Sequence, residues 1–151
     1  MNLSLKEIAE KLKKAKSVAI FSHTRPDGDA YGSSLALSRA LEAIGVKTCV
    51  CNDSDTPSNL AFVEELKTVG KRPAFDAETF VAVDCADENR LGDLSGLFAL
   101  ARGKKPTFNI DHHISNTRFA TLNYVKECAA NCINVFRLLS YMGMPDRKSV
   151  V

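Results

Sequence analysis

The chain has no apolar run approaching the ~20 residues that a membrane-spanning helix needs. Its N-terminus has no apolar core followed by a cleavage site, so a soluble, unsecreted protein is expected. Excess charge is missing too: 20 basic and 18 acidic residues leave a formal net charge of +2. That balance excludes a general polyanion-binding surface and leaves any phosphate recognition to a local site. No low-complexity linker or shift in composition divides the 151 residues, 45% of them hydrophobic, and one domain around one core is expected. The five cysteines cannot all pair, which argues for reduced thiols in a cytoplasmic setting. Cys49 and Cys51 alternate on one strand face, and Cys128 and Cys132 lie four apart on one helix face. Neither spacing is that of a zinc finger or ribbon, so core lining is preferred over a zinc site.

What is present is an alternation of helical and extended patterns. Ser4 with Glu7 fits a capping box, and Leu5, Ile8, Ala9 and Leu12 form a helical stripe reaching about Ala15. Val18 to Phe21 reads as a buried strand, stopped by the turn at Pro26 and Gly28, and a helix from about Ala30 runs to Gly45. Val46 to Cys51 is the next strand. Residues 52–59 form a polar loop, and Leu60 to Val69 is read as a helix closed by Gly70. Phe80 to Val83 and Phe108 to Ile110 are further buried strands, with a short helix near Leu94 to Ala101 between them. Arg118 to Val125 is a candidate strand, and Lys126 to Met142 a helix stopped by Gly143 and Pro145. The repeated β-α-β pattern predicts an α/β fold, doubly wound, with a mostly parallel sheet and helices on both faces.

Three of these apolar strands end in metal-seeking side chains. The first is followed by His23, Asp27 and Asp29, the second by Asp84, and the third by Asp111, His112 and His113. All three histidines of the chain lie in these stretches. In a parallel sheet the carboxyl ends of the strands share one edge, so these side chains converge. Four carboxylates brought together repel and raise one another's pKa unless cations lie between them. Carboxylates mixed with imidazole suit manganese, iron or cobalt better than calcium or structural zinc. A pair of such ions acidifies a shared water and neutralises charge on a phosphoryl group, which points to phosphate ester hydrolysis.

Ser22 to Ser33 (S-H-T-R-P-D-G-D-A-Y-G-S), Val81 to Gly92 (V-A-V-D-C-A-D-E-N-R-L-G) and Asn109 to Asn116 (N-I-D-H-H-I-S-N) resemble the three motifs of the DHH phosphoesterases. Within that family the arginine-proline of the first motif and the R-L-G of the second resemble the bifunctional oligoribonuclease and phosphoadenosine-phosphate phosphatase group, the nanoRNases. The resemblance implies two manganese ions, with magnesium or cobalt as possible substitutes. It places His23 and Asp27 on one, Asp29 and His112 on the other, and Asp84 between them. It implies that Asp111 orients an adjacent imidazole, that His113 faces the scissile phosphate as donor or acid, and that Arg90, Ser115 and Asn116 contact phosphate. The implied partners are short RNA or a nucleotide phosphate, with a homodimer possible and no membrane.

Two departures from the family pattern stand out. Relatives carry a fourth motif with a further metal-binding Asp on a later strand, then a substrate-gripping second domain, and the sequence up to Val151 contains neither. Asp146 follows the last helix too closely to replace that Asp and belongs to a connecting loop. The expectation is therefore a catalytic domain over residues 1–151, truncated before the fourth motif. The region Asn131 to Asn134 also lacks an acidic residue that relatives often carry after the Cys. Other substrates (a cyclic dinucleotide, pyrophosphate or single-stranded DNA) and a non-catalytic metal-binding or interaction module are the alternatives.

Overall fold

Ser4 starts the first helix as expected. Its hydroxyl accepts from the Glu7 amide at 3.2 Å, while the Glu7 carboxylate accepts from the Ser4 amide at 2.8 Å. A computed structural model describes residues 1–144, so the expectations placed on Pro145 and Asp146 lie outside the described residues. The elements are α1 (Leu5–Lys14), β1 (Ser17–Phe21), α2 (Gly28–Ala43), β2 (Lys47–Cys51), β3 (Thr79–Val83), α3 (Ser95–Arg102), β4 (Thr107–Asp111), β5 (Leu122–Val125) and α4 (Asn131–Tyr141).

The five strands form one sheet in the order β2-β1-β3-β4-β5, and every neighbouring pair is parallel. After β2 the chain crosses back over β1 to place β3, so the strand order reverses between β1 and β3. Such a reversal opens a crevice at the carboxyl ends of the strands. Alternate side chains serve opposite faces. Val18, Ile20, Val81, Val83, Phe108 and Ile110 pack with residues of α1, α2 and α4. Ala19, Phe21, Phe80 and Ala82 pack with Leu94 and Phe98 around α3, the Phe21 and Phe80 rings lying 4.9 Å apart. Burial on both sides is why these strands read as unbroken apolar runs rather than alternating ones. The outer edge of β5 is taken by the N-terminus: Leu3 donates to the Asn123 carbonyl at 2.9 Å, and Asn123 donates to the Met1 carbonyl at 2.8 Å.

Several expected boundaries are corrected. The helix expected over Leu60 to Val69 is instead two 3-10 turns, Ser58–Leu60 and Glu64–Thr68. Only Leu66 of those turns is buried and Phe62 is 78% exposed, so the segment has no apolar face to dock and no tertiary support for a helix. The strand expected from Arg118 begins at Leu122, because Arg118 has φ +54° and its amide is drawn into a turn by the Asn116 side chain. The helix expected from Lys126 begins at Asn131, which also leaves Cys128 outside it. All five cysteines are free, with Cys51 and Cys85 buried.

Gly92 lies on a 3-10 segment (Glu88–Leu94) that straps the second motif against the first. There the Thr24 amide donates to the Arg90 carbonyl at 2.7 Å. Gly92 has φ +62°, and a Cβ on it would fall 1.7 Å from Asp53 Oδ2 and 2.6 Å from Thr24 Cγ2. Gly92→Ala is therefore expected to cost at least the ~1–3 kcal/mol of an unfavourable backbone conformation. A denaturation midpoint equal to that of the wild type would show that the strap tolerates a side chain.

Candidate metal centre

The first ligand group comes from the turn after β1. The His23 Nδ1 faces the Thr24 carbonyl at 2.7 Å, so Nδ1 carries the proton and the Nε2 lone pair is left for the site. Asn52 fixes this turn by donating to the Ser22 hydroxyl and the His23 carbonyl, each at 2.9 Å. Asp27 caps α2, accepting from the Ala30 amide at 2.9 Å, and the same oxygen lies 3.9 Å from His23 Nε2. A cap and a candidate ligand are thus one residue.

Asp29, in the first turn of α2, also caps a helix, but a distant one. Its two oxygens accept from the Asn131 and Cys132 amides of α4, both at 2.8 Å. Burial pushes its carboxyl up, yet these amide bonds outweigh burial and hold it below the ordinary carboxylate value, so it stays anionic. One Asp29 oxygen lies 3.6 Å from His112 Nε2. The His112 Nδ1 is held by the Cys128 carbonyl at 2.9 Å, which again leaves Nε2 turned inward.

Asp84 stands between these groups. It follows β3 directly, is 2% exposed and has φ +52°. Its Oδ2 is 3.5 Å from His23 Nε2, and its Oδ1 is 3.2 Å from His112 Nε2. Oδ1 is buried and has no hydrogen-bond partner among the described residues. Burial, with Asp29 and Asp27 nearby, raises its carboxyl above the ordinary value against the opposing pull of His23. Asp84 raises the His23 imidazole despite burial, and the Cys128 carbonyl with Asp84 and Asp29 does the same for His112. The site attracts positive charge, and an orphaned buried carboxylate oxygen between two inward-facing imidazoles fits divalent cations.

Asp111 has a different job. It is fully buried, with Oδ1 2.7 Å from His113 Nδ1 and Oδ2 accepting from the Asn116 amide at 2.7 Å. Two groups have candidate ligand atoms within 4.8 Å of one another: His23, Asp27 and Asp84, and then Asp84, Asp111, His112 and His113. In the second, Asp111 and His113 Nδ1 satisfy each other. That leaves Asp84 and His112, with Asp29 beside them, to face a cation. His113 is a third exposed and keeps its Nε2 for other contacts.

Arg90 is exposed, and its charge is felt by His23. Ser115 is exposed in the turn that Asn116 closes by donating to the His113 carbonyl at 3.2 Å. The Asn116 side chain is taken up internally, by Asp111, by Asn109 at 2.7 Å and by the Cys85 carbonyl at 3.2 Å. Sequence reasoning passed over Asn109, Asn52 and the Cys128 carbonyl. Asn109 alone had a signal, since it precedes Asp111 by two on β4 and shares its face.

A family model described as the DHH family, N-terminal domain, matches residues 17–150. The bifunctional oligoribonuclease and PAP phosphatase NrnA of Thermus thermophilus is 36% identical over 143 residues, covering 91% of this chain and 41% of that protein. A probable bifunctional oligoribonuclease and PAP phosphatase NrnA of Streptococcus mutans is 26% identical over 151 residues, covering 95% of this chain and 46% of that protein. The chain therefore spans less than half the length of these curated relatives. The crystal structure of an exopolyphosphatase-related protein from Bacteroides fragilis matches with a TM-score of 0.83 at 24% identity, over 92% of this chain and 43% of that one, and shows the same fold.

Proposed function

Since the chain belongs to the DHH family, we propose that it is a manganese-dependent, two-metal phosphoesterase acting on short oligoribonucleotides and on the 3′-phosphate of phosphoadenosine phosphate. The observation that carries this reading is Asp84, whose two oxygens face two separate imidazole-carboxylate pairs while one of them is buried without a partner among the described residues. His23 and Asp27 would hold one ion and Asp29 and His112 the other, with Asp84 shared; magnesium or cobalt are the natural substitutes. Bound there, the ions supply an acidified water and charge neutralisation at phosphorus.

The remaining work falls to the chain's own side chains. Asp111 holds the Nδ1 side of His113 and so fixes the ring, leaving Nε2 to pass a proton to the leaving oxygen. Asn116 anchors Asp111 in turn. Arg90 and Ser115, both exposed, are suited to the outer phosphate oxygens. A cytoplasmic setting suits five unpaired thiols, and no helix among the described residues is long and apolar enough to cross a membrane.

The purified protein, supplied with manganese, is expected to release mononucleotides from a diribonucleotide and inorganic phosphate from phosphoadenosine phosphate, and to do neither in a chelator. Turnover of only a cyclic dinucleotide or pyrophosphate would move the substrate. Bound manganese without turnover of any of these would leave a metal-binding module.

A further inference from the structure

A groove of about 470 Å³ runs between β5, α4 and the start of α1, lined by Ser4, Leu5, Tyr124, Lys126, Arg137 and Tyr141. Its chemistry is uneven for a chain whose net charge is only +2. Two phenol rings and two cations share one concave surface. Neither Lys126 nor Arg137 forms an ion pair among the described residues. The Tyr124 ring is packed against the core, and Arg137 lines the groove beside it. Tyr141 is 53% exposed and near Tyr124.

The groove also joins the metal centre through the backbone. Val125 is in register with Asp111, and the next amide, Lys126, donates to the Asp111 carbonyl at 3.1 Å. Two residues on, the Cys128 carbonyl holds His112 at 2.9 Å. Residues 126–128 thus lead from the cations of the groove to an imidazole of the metal centre.

We propose that this groove is a track for single-stranded RNA, taking the nucleotides that extend beyond the one cleaved at the metals. The inference rests on the phosphoesterase reading above and adds where a longer substrate lies. Unpaired cations follow the phosphates, and the exposed ring of Tyr141 accepts a stacked base without regard to sequence. The groove therefore favours oligomers over dinucleotides.

The test is fluorescence anisotropy with a 5′-fluorescein octaribonucleotide and an unlabelled dinucleotide competitor, using the full protein in EDTA so that nothing is hydrolysed. The octamer should bind at least ~10-fold more tightly than the dinucleotide, since each stacked base is worth ~1–3 kcal/mol. Tyr141→Ala should weaken octamer binding about fivefold or more, by the same constant. The double variant Lys126→Gln/Arg137→Gln should lower the slope of log affinity against log salt by about 1.4, that is ~0.7 for each phosphate contact removed. All three side chains lie on the surface, and unchanged melting temperatures will show that the variants are folded. An unchanged salt slope, or equal affinity for octamer and dinucleotide, overturns the track. A changed oligomeric state in the double variant also overturns it, because the groove would then be a subunit interface. Failure of the wild type to cleave the dinucleotide with manganese is a separate result, which removes the phosphoesterase reading without touching the binding measurement.

Discussion

Asp84→Asn is expected to stabilise the protein in a chelator and at the same time to abolish tight metal binding. The carboxylate that separates His23 from His112 is buried, flanked by Asp27 and Asp29, and has one oxygen without a partner among the described residues. An unsatisfied buried polar group costs ~1–3 kcal/mol, and a neutral amide of the same shape removes the charge from that cost. Asparagine also tolerates φ +52°, where alanine would be strained, so Asn isolates the electrostatic effect. Manganese affinity should fall by more than the ~10- to 100-fold that partners outside the ligand set command. Calorimetric titration and denaturation in EDTA measure the two effects, and equal manganese binding by both proteins would show that Asp84 is not a ligand.

The pH dependence of the metal-free protein follows the same logic. The folded pKa of Asp84 is raised above its ordinary 3.8, so the folded state holds that proton more readily, and stability falls as pH climbs from about that value. The raised His23 and His112 contribute stability that is complete below 6.5 and lost as pH rises through their higher folded values. Asp29, lowered from 3.8, acts in the opposite sense and only at acid pH. In EDTA the wild type should therefore be less stable at pH 8 than at pH 6, and manganese should reverse the order. In Asp84→Asn the metal-free slope should flatten.

The second large effect separates two adjacent histidines. His113→Gln is expected to leave manganese affinity nearly unchanged while slowing the chemical step by ~10²–10⁴, the usual worth of a general acid. His112→Gln should weaken metal binding instead. The difference follows from what holds each ring: His112 presents Nε2 to Asp84 and Asp29, whereas His113 is tied through Nδ1 to Asp111. Single-turnover rates at saturating manganese, with a metal titration of each variant, distinguish the two roles. If both substitutions reduced manganese affinity alike, His113 would belong with the ligands.

Where a residue's placement depends on neighbours in sequence, it was legible from the sequence. The apolar runs of β1, β3 and β4 end in ligand-type residues, and parallel pairing does the rest. The capping box of α1 is local as well. What could not be read depends on contacts between distant segments. The start of α4 is set by the Asp29 carboxylate, 102 residues from Asn131, so the pattern from Lys126 gave no sign that the helix would wait until residue 131. The segment from Leu60 to Val69 has helical spacing, but spacing cannot show that no layer awaits its apolar residues. Asn116 looked suited to phosphate because it is polar and follows the third motif; its amide turns inward because Asp111, Asn109 and the Cys85 carbonyl all lie in reach.

The central placement of β3 has a consequence for how the molecule comes into being. Asp84 reaches His23 only after β3 has inserted beside β1, a pairing that joins Val18 to Thr79, and it reaches His112 only after β4 has docked on β3. The first of these has the greatest sequence separation in the sheet, the kind of pairing that loop entropy makes slow to form. No early intermediate with only β1, α2 and β2 in place can hold a shared pair of ions. A cation held there would thus read out completed folding rather than guide it: it would slow escape from the native state and leave the rate of reaching that state nearly untouched.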